Sequence, residues 1–253
     1  MALGVKRNHG RWEARDDAGA LAGRADCWVR PDGKRFAHFS TDDAAVIAAL
    51  GAAITAEAGR PLHTTADAGD RAALLRFAEA GFVGDRYEHR WLLPVAVAAG
   101  WDDTALAPFA VGSPETFGPD AVRRFDDRLR ADVPGARGWR WTAEAWDAEH
   151  GTPAYDPDLY PVVWDPAEQR FAAMARVWSN PDGPRLGLIA ADRPYRRRGL
   201  ASAVLARVFR TLRERGHTEV AAECDTANAA SNALMAKAGG TVVGGDVELI
   251  LWG

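Results

Sequence analysis

The sequence predicts an α/β fold, a mixed sheet flanked by helices, and three observations predict it. The second half of the chain reads strand, strand, helix, strand, helix, strand in its hydrophobic spacing. Turn and stop residues fall between those segments: Asn180-Pro181-Asp182-Gly183 parts the first two strands, and Gly239-Gly240 closes the last helix. The same arrangement recurs in the first half, at a constant offset that places Gly239 on Gly81.

Taken in chain order, Asp26 to Arg30 and Arg35 to Ser40, split by Pro31-Asp32-Gly33, read as a hairpin. A helix follows from Thr41, with Val46, Ile47, Leu50 and Ile54 spaced by one helical face. A short strand begins at Leu62, and a second helix runs from Ala72 to a stop at Gly81. The stretch 95–118, broken by Gly100, Pro108, Gly112, Pro114 and Gly118, reads as a linker. Two further helices follow, Ala121 to Arg130 and a run opening with Thr142-Ala143-Glu144-Ala145, whose acidic first turn suits a helix start.

Gln169 to Ser179 and Leu186 to Ala191 are then strands around the Asn-Pro-Asp-Gly turn. Leu200, Val204, Leu205, Val208 and Leu212 mark a helix ending at Gly216, and Val220 to Cys224 is a short buried strand. Residues 227–238 form a helix, and Val247 to Trp252 a final strand. Without a gap, Val46, Ile47, Leu50 and Ile54 fall on Val204, Leu205, Val208 and Leu212, Leu62 falls on Val220, and Asp67 on Asp225. The chain therefore divides into two units, 1–98 and 99–253. The first is a truncated copy, with no room for counterparts of the two helices at 121–150.

Composition narrows the function. Of 253 residues 47% are apolar and 26% charged, as in an ordinary globular protein. A net charge of -4 gives no basic face for nucleic acid. Cys27 and Cys224 form no CxxC pair, which fits a reducing compartment and excludes a disulfide framework or a cysteine-rich zinc site. Met1 to Arg7 lacks the apolar stretch of a signal peptide, and no run of eighteen apolar residues exists. The expectation is a cytoplasmic protein, monomer or homodimer, with no membrane partner and no metal.

One junction carries chemistry. In Ala191-Asp192-Arg193-Pro194-Tyr195-Arg196-Arg197-Arg198-Gly199-Leu200-Ala201-Ser202 a strand ends, arginines crowd a turn, and a helix opens on small residues. Amides at a helix start have no internal partner, and with the helix dipole they attract an anion such as a diphosphate. Gly199 lets the backbone approach that anion, Ala201 and Ser202 are small for the same reason, and Ser202 adds a hydroxyl. Arg196, Arg197 and Arg198 supply charge. At the matching place in the first unit stands His38-Phe39-Ser40-Thr41-Asp42-Asp43, with no glycine and two carboxylates expected in the first helical turn. Those carboxylates would serve the dipole themselves and repel a diphosphate, so the first unit is expected to bind none.

The run Arg196-x-x-Gly199-x-Ala201, between strand and helix, resembles the acetyl-CoA loop of the GNAT N-acetyltransferase superfamily. Asn228-Ala229-Ala230-Ser231 with Leu234 and Gly239 resembles that family's second signature. The paired arrangement is similar to the tandem type seen in mycothiol synthase. The resemblance implies a GNAT unit with acetyl-CoA as co-substrate and a small-molecule amine as acceptor, attacked directly in a ternary complex. It assigns main-chain contacts with the pantetheine arm to Ile189, Ala190 and Ala191, phosphate contacts to Arg196–Ser202 including Leu200, and further contacts to Asn228 and Ser231.

The family's usual acid is a tyrosine four residues before the helix-ending glycine, where this chain has Met235, and Phe77 in the first unit. Neither can donate a proton. For the base, alternation in Glu219-Val220-Ala221-Ala222-Glu223-Cys224-Asp225 puts Glu223 and Asp225 opposite the core face. A strand carboxylate drawn partly out of water is the kind of group that takes a proton near neutrality. Glu223 is the candidate base or an arginine's partner, Asp225 a second candidate or a turn residue, and Cys224 reads as core. Trp139, Trp141, Trp146, His150 and Tyr160 read as acceptor-pocket walls or as packing, with His150 and His217 at the surface. Two other functions are open: a non-catalytic CoA binder or interaction module, which Met235 favours, and a peptidoglycan-type aminoacyl transferase. The latter needs tRNA and has no use for the arginine-glycine loop.

Overall fold

The computed structural model describes residues 3–8 and 10–253; Met1 and Ala2, on which the reading of the leader partly rests, and His9 lie outside the described residues. The chain packs as two compact units, Met1–Glu88 with Gly244–Gly253, and His89–Val243. Both combine a mixed sheet with helices.

The first unit contains β1 (Gly4–Asn8), β2 (Arg11–Arg15), β3 (Leu21–Val29), β4 (Arg35–Phe39), α1 (Ala44–Ala58), β5 (Leu62–Asp67), α2 (Arg71–Glu79) and the first half of β6 (Val83–Pro94). The second adds α3 (Val95–Ala99), β7 (Ala110–Gly112), α4 (Pro114–Phe117), α5 (Pro119–Arg130), α6 (Ala143–His150), β8 (Val162–Asp165) and β9 (Arg170–Asn180). It continues through β10 (Gly183–Ala191), α7 (Leu200–Glu214), β11 (Glu219–Asp225) and α8 (Ala229–Lys237) into β12 (Thr241–Leu251). The expected linker is thus built of short elements, because Pro114 opens α4 and Pro119 opens α5 at positions where a missing N–H costs nothing.

In the first unit β1 to β4 are antiparallel neighbours, β4 meets β5 in parallel at Arg35↔Leu62 and Phe36↔His63, and β12 closes antiparallel on β5 from Asp246↔Asp67 to Leu251↔Leu62. The last strand of the sequence therefore packs with the first unit, although a division at 98/99 would put it with the second. Val46, Ile47, Leu50 and Ile54 of α1 share that core with Phe39, Phe82, Val247 and Leu249.

In the second unit the strands run β6-β11-β10-β9-β8-β7. One face carries α7 and α8, with Val204, Leu205, Val208, Leu212 and Met235 packed on Ala173, Ala175 and Val177. The other carries α5 and α6, with Phe125, Trp146 and Tyr160 packed on Met174 and Leu188. Among the described residues no helix is long and apolar enough to cross a membrane.

Positions related by the constant sequence offset make like local bonds. Asp67 Oδ1 accepts from Gly69 N–H at 2.7 Å, as Asp225 Oδ1 does from Ala227 N–H at 2.7 Å. Asp70 caps α2 through Ala73 N–H, and Asn228 caps α8 through Ser231 N–H. Both helices close alike, Phe82 N–H on Phe77 O and Gly240 N–H on Met235 O.

Candidate nucleotide site

The site begins where two parallel strands part. β10 pairs with β11 only at Arg185↔Ala221 and Leu186↔Ala222, and a bulge at Gly187 then shifts its register against β9. A Cβ on Gly187 would stand 2.9 Å from Trp178 Nε1, so the bulge requires glycine. Beyond it, Leu188 to Ala191 pair with β9 alone. The β11-facing edge of that stretch, Ile189, Ala190 and Ala191 included, has no strand partner among the described residues, and an extended ligand can use it as a strand would.

α7 starts at the end of that edge. Arg197 and Gly199 have φ of 63° and 81°, and a left-handed residue beside the helix start turns successive N–H groups toward one side. Glycine takes this conformation at little cost. Among the described residues no side chain caps α7, and its first internal bond is Ala203 N–H to Gly199 O at 3.0 Å. The amides of Leu200, Ala201 and Ser202 precede that bond and have no intrahelical acceptor. Leu200 is buried and pins the turn, while Ala201 and Ser202 are half-buried.

The arginines divide their work. Arg196 Nη2 lies 2.5 Å from Asp132 Oδ2 and its Nε donates to Ala191 O at 3.2 Å, while Arg193 Nε holds the same carboxylate at 2.9 Å. Hydrogen bonds from Arg193, and with them Arg196, depress Asp132 to about 2. These two arginines shape the loop. Arg198 lies over the ring of Tyr195, 5.3 Å from its centroid, and Tyr195 donates to Asp165 at 2.9 Å. Arg197 and Arg198 are exposed.

The first unit differs where the sequence said it would, with one correction. Asp42 and Asp43 precede α1 and do not lie in its first turn, because Asp43 is the N-cap. Asp43 Oδ1 accepts from Ala45 N–H at 2.8 Å and from Val46 N–H at 3.3 Å, filling with its own carboxylate the place an anion would take. Asp42 pairs with Arg76.

Comparisons with known proteins bear on the fold. Residues 124–240 match the model of the acetyltransferase (GNAT) family. A GCN5-related N-acetyltransferase from Sphaerobacter thermophilus superposes with a TM-score of 0.70 at 16% identity, over 98% of this chain and 82% of its own. A tandem GNAT protein from the clavulanic acid biosynthesis pathway gives 0.67 at 15%, over 96% and 82%. A GCN5-related N-acetyltransferase from Kribbella flavida gives 0.58 at 12%, over 100% and 90%. The fold is that of the GNAT acetyltransferases. None of the curated proteins matches the sequence.

On this GNAT scaffold the candidate catalytic groups are engaged. Glu223 Oε2 is 2.6 Å from Arg185 Nη2 on the neighbouring strand, in a half-exposed pair. Asp225 is buried, and besides its turn bond its carbonyl accepts from Asn232 Nδ2 at 2.8 Å. Cys224 and Met235 are buried in the α7–α8 core.

Nothing in the sequence marks Asn232. Its Nδ2 also donates to Asn228 O at 2.9 Å, and its Oδ1 accepts from Trp91 Nε1 at 3.2 Å. Those bonds fix the amide's orientation, so His89 Nδ1, 3.2 Å from Oδ1, must be the protonated ring nitrogen. One side chain thus ties the start of α8 to the end of β11. A single asparagine inside a helix gives no such signal.

The aromatic segment packs as core. Trp141, Trp146 and Tyr160 are buried around Asp126, which accepts from Arg130 Nε at 2.6 Å and Trp141 Nε1 at 2.9 Å. His150, expected at the surface, is half-buried and stacks 4.0 Å from Trp146; burial holds its pKa down. Among the described residues, His63, Asp85 and Glu248 form the one cluster of metal-ligating types. Arg30, Lys34 and Arg86 already crowd Glu248, and that charge does not suit a cation.

Proposed function

We propose that this chain is an acetyl-CoA-dependent N-acetyltransferase acting on the amine of a small molecule. In this reading residues 1–98 are a degenerate GNAT-like unit, and 99–253 carry the working site. The observation that carries it is the uncapped start of α7 at Gly199, set where β10 and β11 part, inside the stretch that matches the GNAT family. The likeness to a tandem GNAT protein supports the two-unit reading. The cap that Asp43 supplies to α1 supports a single nucleotide site per chain.

Amides of Leu200–Ser202 and the small side chains around them receive the diphosphate, and the free edge of β10 aligns the pantetheine arm. The amine nitrogen attacks the thioester carbonyl carbon, the C–N bond forms and the C–S bond breaks. Glu223 accepts the ammonium proton once the acceptor separates it from Arg185. The thiolate leaves with a proton from water, since Met235 has none to give. Asp225 holds the turn into α8 and positions rather than reacts.

Titration calorimetry with CoA, followed by thiol release from acetyl-CoA over a panel of amines, tests this. The expected result is binding that Gly199→Val abolishes, and turnover that Glu223→Gln reduces at least tenfold. Met235 in the acid's place keeps a second reading open, a CoA-binding regulatory protein. Tight binding with no turnover on any amine, indifferent to Glu223→Gln, would establish that reading instead.

A further inference from the structure

The arginines before α7 are unequally placed: Arg197 is exposed, and the others have partners. Arg193 and Arg196 are spent on Asp132, and Arg198 lies on Tyr195. A further cation, hydrogen-bonded to the first turn of α7, comes from another helix. Lys237, in the last turn of α8, places Nζ 3.3 Å from Ser202 Oγ, and the same ammonium stands 4.5 Å from the ring centroid of Trp101. Trp101 is half-buried, packed against the α7–α8 core. Its face holds the ammonium by a cation–π contact and orders a side chain that would otherwise sample many rotamers. Ser202 accepts from Lys237, which leaves its own hydroxyl proton free to donate.

We infer that Lys237, held by Trp101 and Ser202, is a diphosphate-binding residue of this chain and adds a cation at the first turn of α7, beside the exposed Arg197 and Arg198. The inference rests on the CoA reading above. Three separate segments converge on it: the turn after α3, the first turn of α7 and the last turn of α8. Lys237 is exposed, and among the described residues no carboxylate pairs with it, so its ammonium is held by Ser202 and Trp101. A point charge beside a hydroxyl and open amides matches a phosphate oxygen better than it matches the neutral pantetheine arm.

The test measures calorimetric affinity of the full chain, Lys237→Gln and Lys237→Arg for CoA and for 3′-dephospho-CoA. Lys237→Gln is expected to weaken both ligands by about tenfold, the scale of one charge-assisted bond, and Lys237→Arg to restore most of that. Loss on CoA alone overturns the assignment, because the lysine would then read the 3′-phosphate. Unchanged affinity for both, while Gly199→Val still abolishes binding, overturns it and leaves the CoA reading intact. No binding by the unmodified chain sinks both.

Discussion

At the constant sequence offset Ala201 falls on Asp43, but Ala201 is the second residue of α7 whereas Asp43 is the N-cap of α1, and the two meet the helix dipole in opposite ways. Asp43 answers it with its own carboxylate, whereas Ala201 has no group to answer it and no side chain caps α7 among the described residues. Ala201→Asp should therefore move two observables in opposite directions. Helix stability rises by about 0.5 kcal/mol, as an acid near a helix start does, read as a higher urea midpoint. CoA affinity falls roughly a hundredfold or more, because a buried like-charge contact costs several kcal/mol. A fall in both would mean that the new side chain only disrupts the helix start. Asp132 supplies the loop's pH dependence. Its folded value, about 2, lies below the ordinary 3.8, so its anchoring of Arg193 and Arg196 is complete above the ordinary value and is lost as pH falls through about 2. A carboxyl chemical shift titrating near 2, and a loop that loosens in Asp132→Asn at neutral pH, are the expected outcomes. Titration at or above 3.8 would remove the anchor from the argument.

At the scale of the element, what was legible followed side-chain periodicity. The buried faces of α1 and α7 were readable because Val46, Ile47, Leu50 and Ile54, like Val204, Leu205, Val208 and Leu212, repeat at helical spacing and meet a core. The β11 alternation held for Val220, Ala222 and Cys224. β6 was not legible: Arg86-Tyr87-Glu88-His89-Arg90-Trp91 mixes charge and ring on both faces, and its burial follows neighbours remote in sequence. β1, β7 and β8, at five, three and four residues, are too short to show a period. The bonds of Asn232 were hidden for a related reason, since a tertiary polar tie leaves no periodic trace. Its weight can be measured. Asn232→Leu installs the residue that α2 carries at the matching place, Leu74, and leucine is the better helix former. The variant should still lose about 1–3 kcal/mol, because Trp91 Nε1 and the carbonyls of Asp225 and Asn228 lose their partner. An unchanged unfolding midpoint would show that water replaces the amide and that α8 is seated by its apolar face alone.

For the molecule as a whole, the order of packing departs from the order of the sequence. The repeat read from Gly81 and Gly239 identified the helices but said nothing about where the strand after α8 would go, because strand pairing is set by partners distant in the chain. That strand lies on β5 over six residue pairs and gives Val247 and Leu249 to the first unit's core. Leu251 sits against Gly51, where a Cβ would stand 2.6 Å from its Cδ2, so α1 meets β12 through the one helical position that has no side chain. Burying each such apolar side chain contributes about 1.5–3 kcal/mol, and three together rival the 5–15 kcal/mol that typically separates folded from unfolded. Deleting residues 246–253 should therefore strip amide-exchange protection from α1 and α2, although neither helix is near the deletion in sequence. Leu249→Asp should do the same with the chain length intact, by placing a charge in that core. If α1 keeps its protection in both variants, β12 is an accessory to the first unit and the two units divide in sequence order after all.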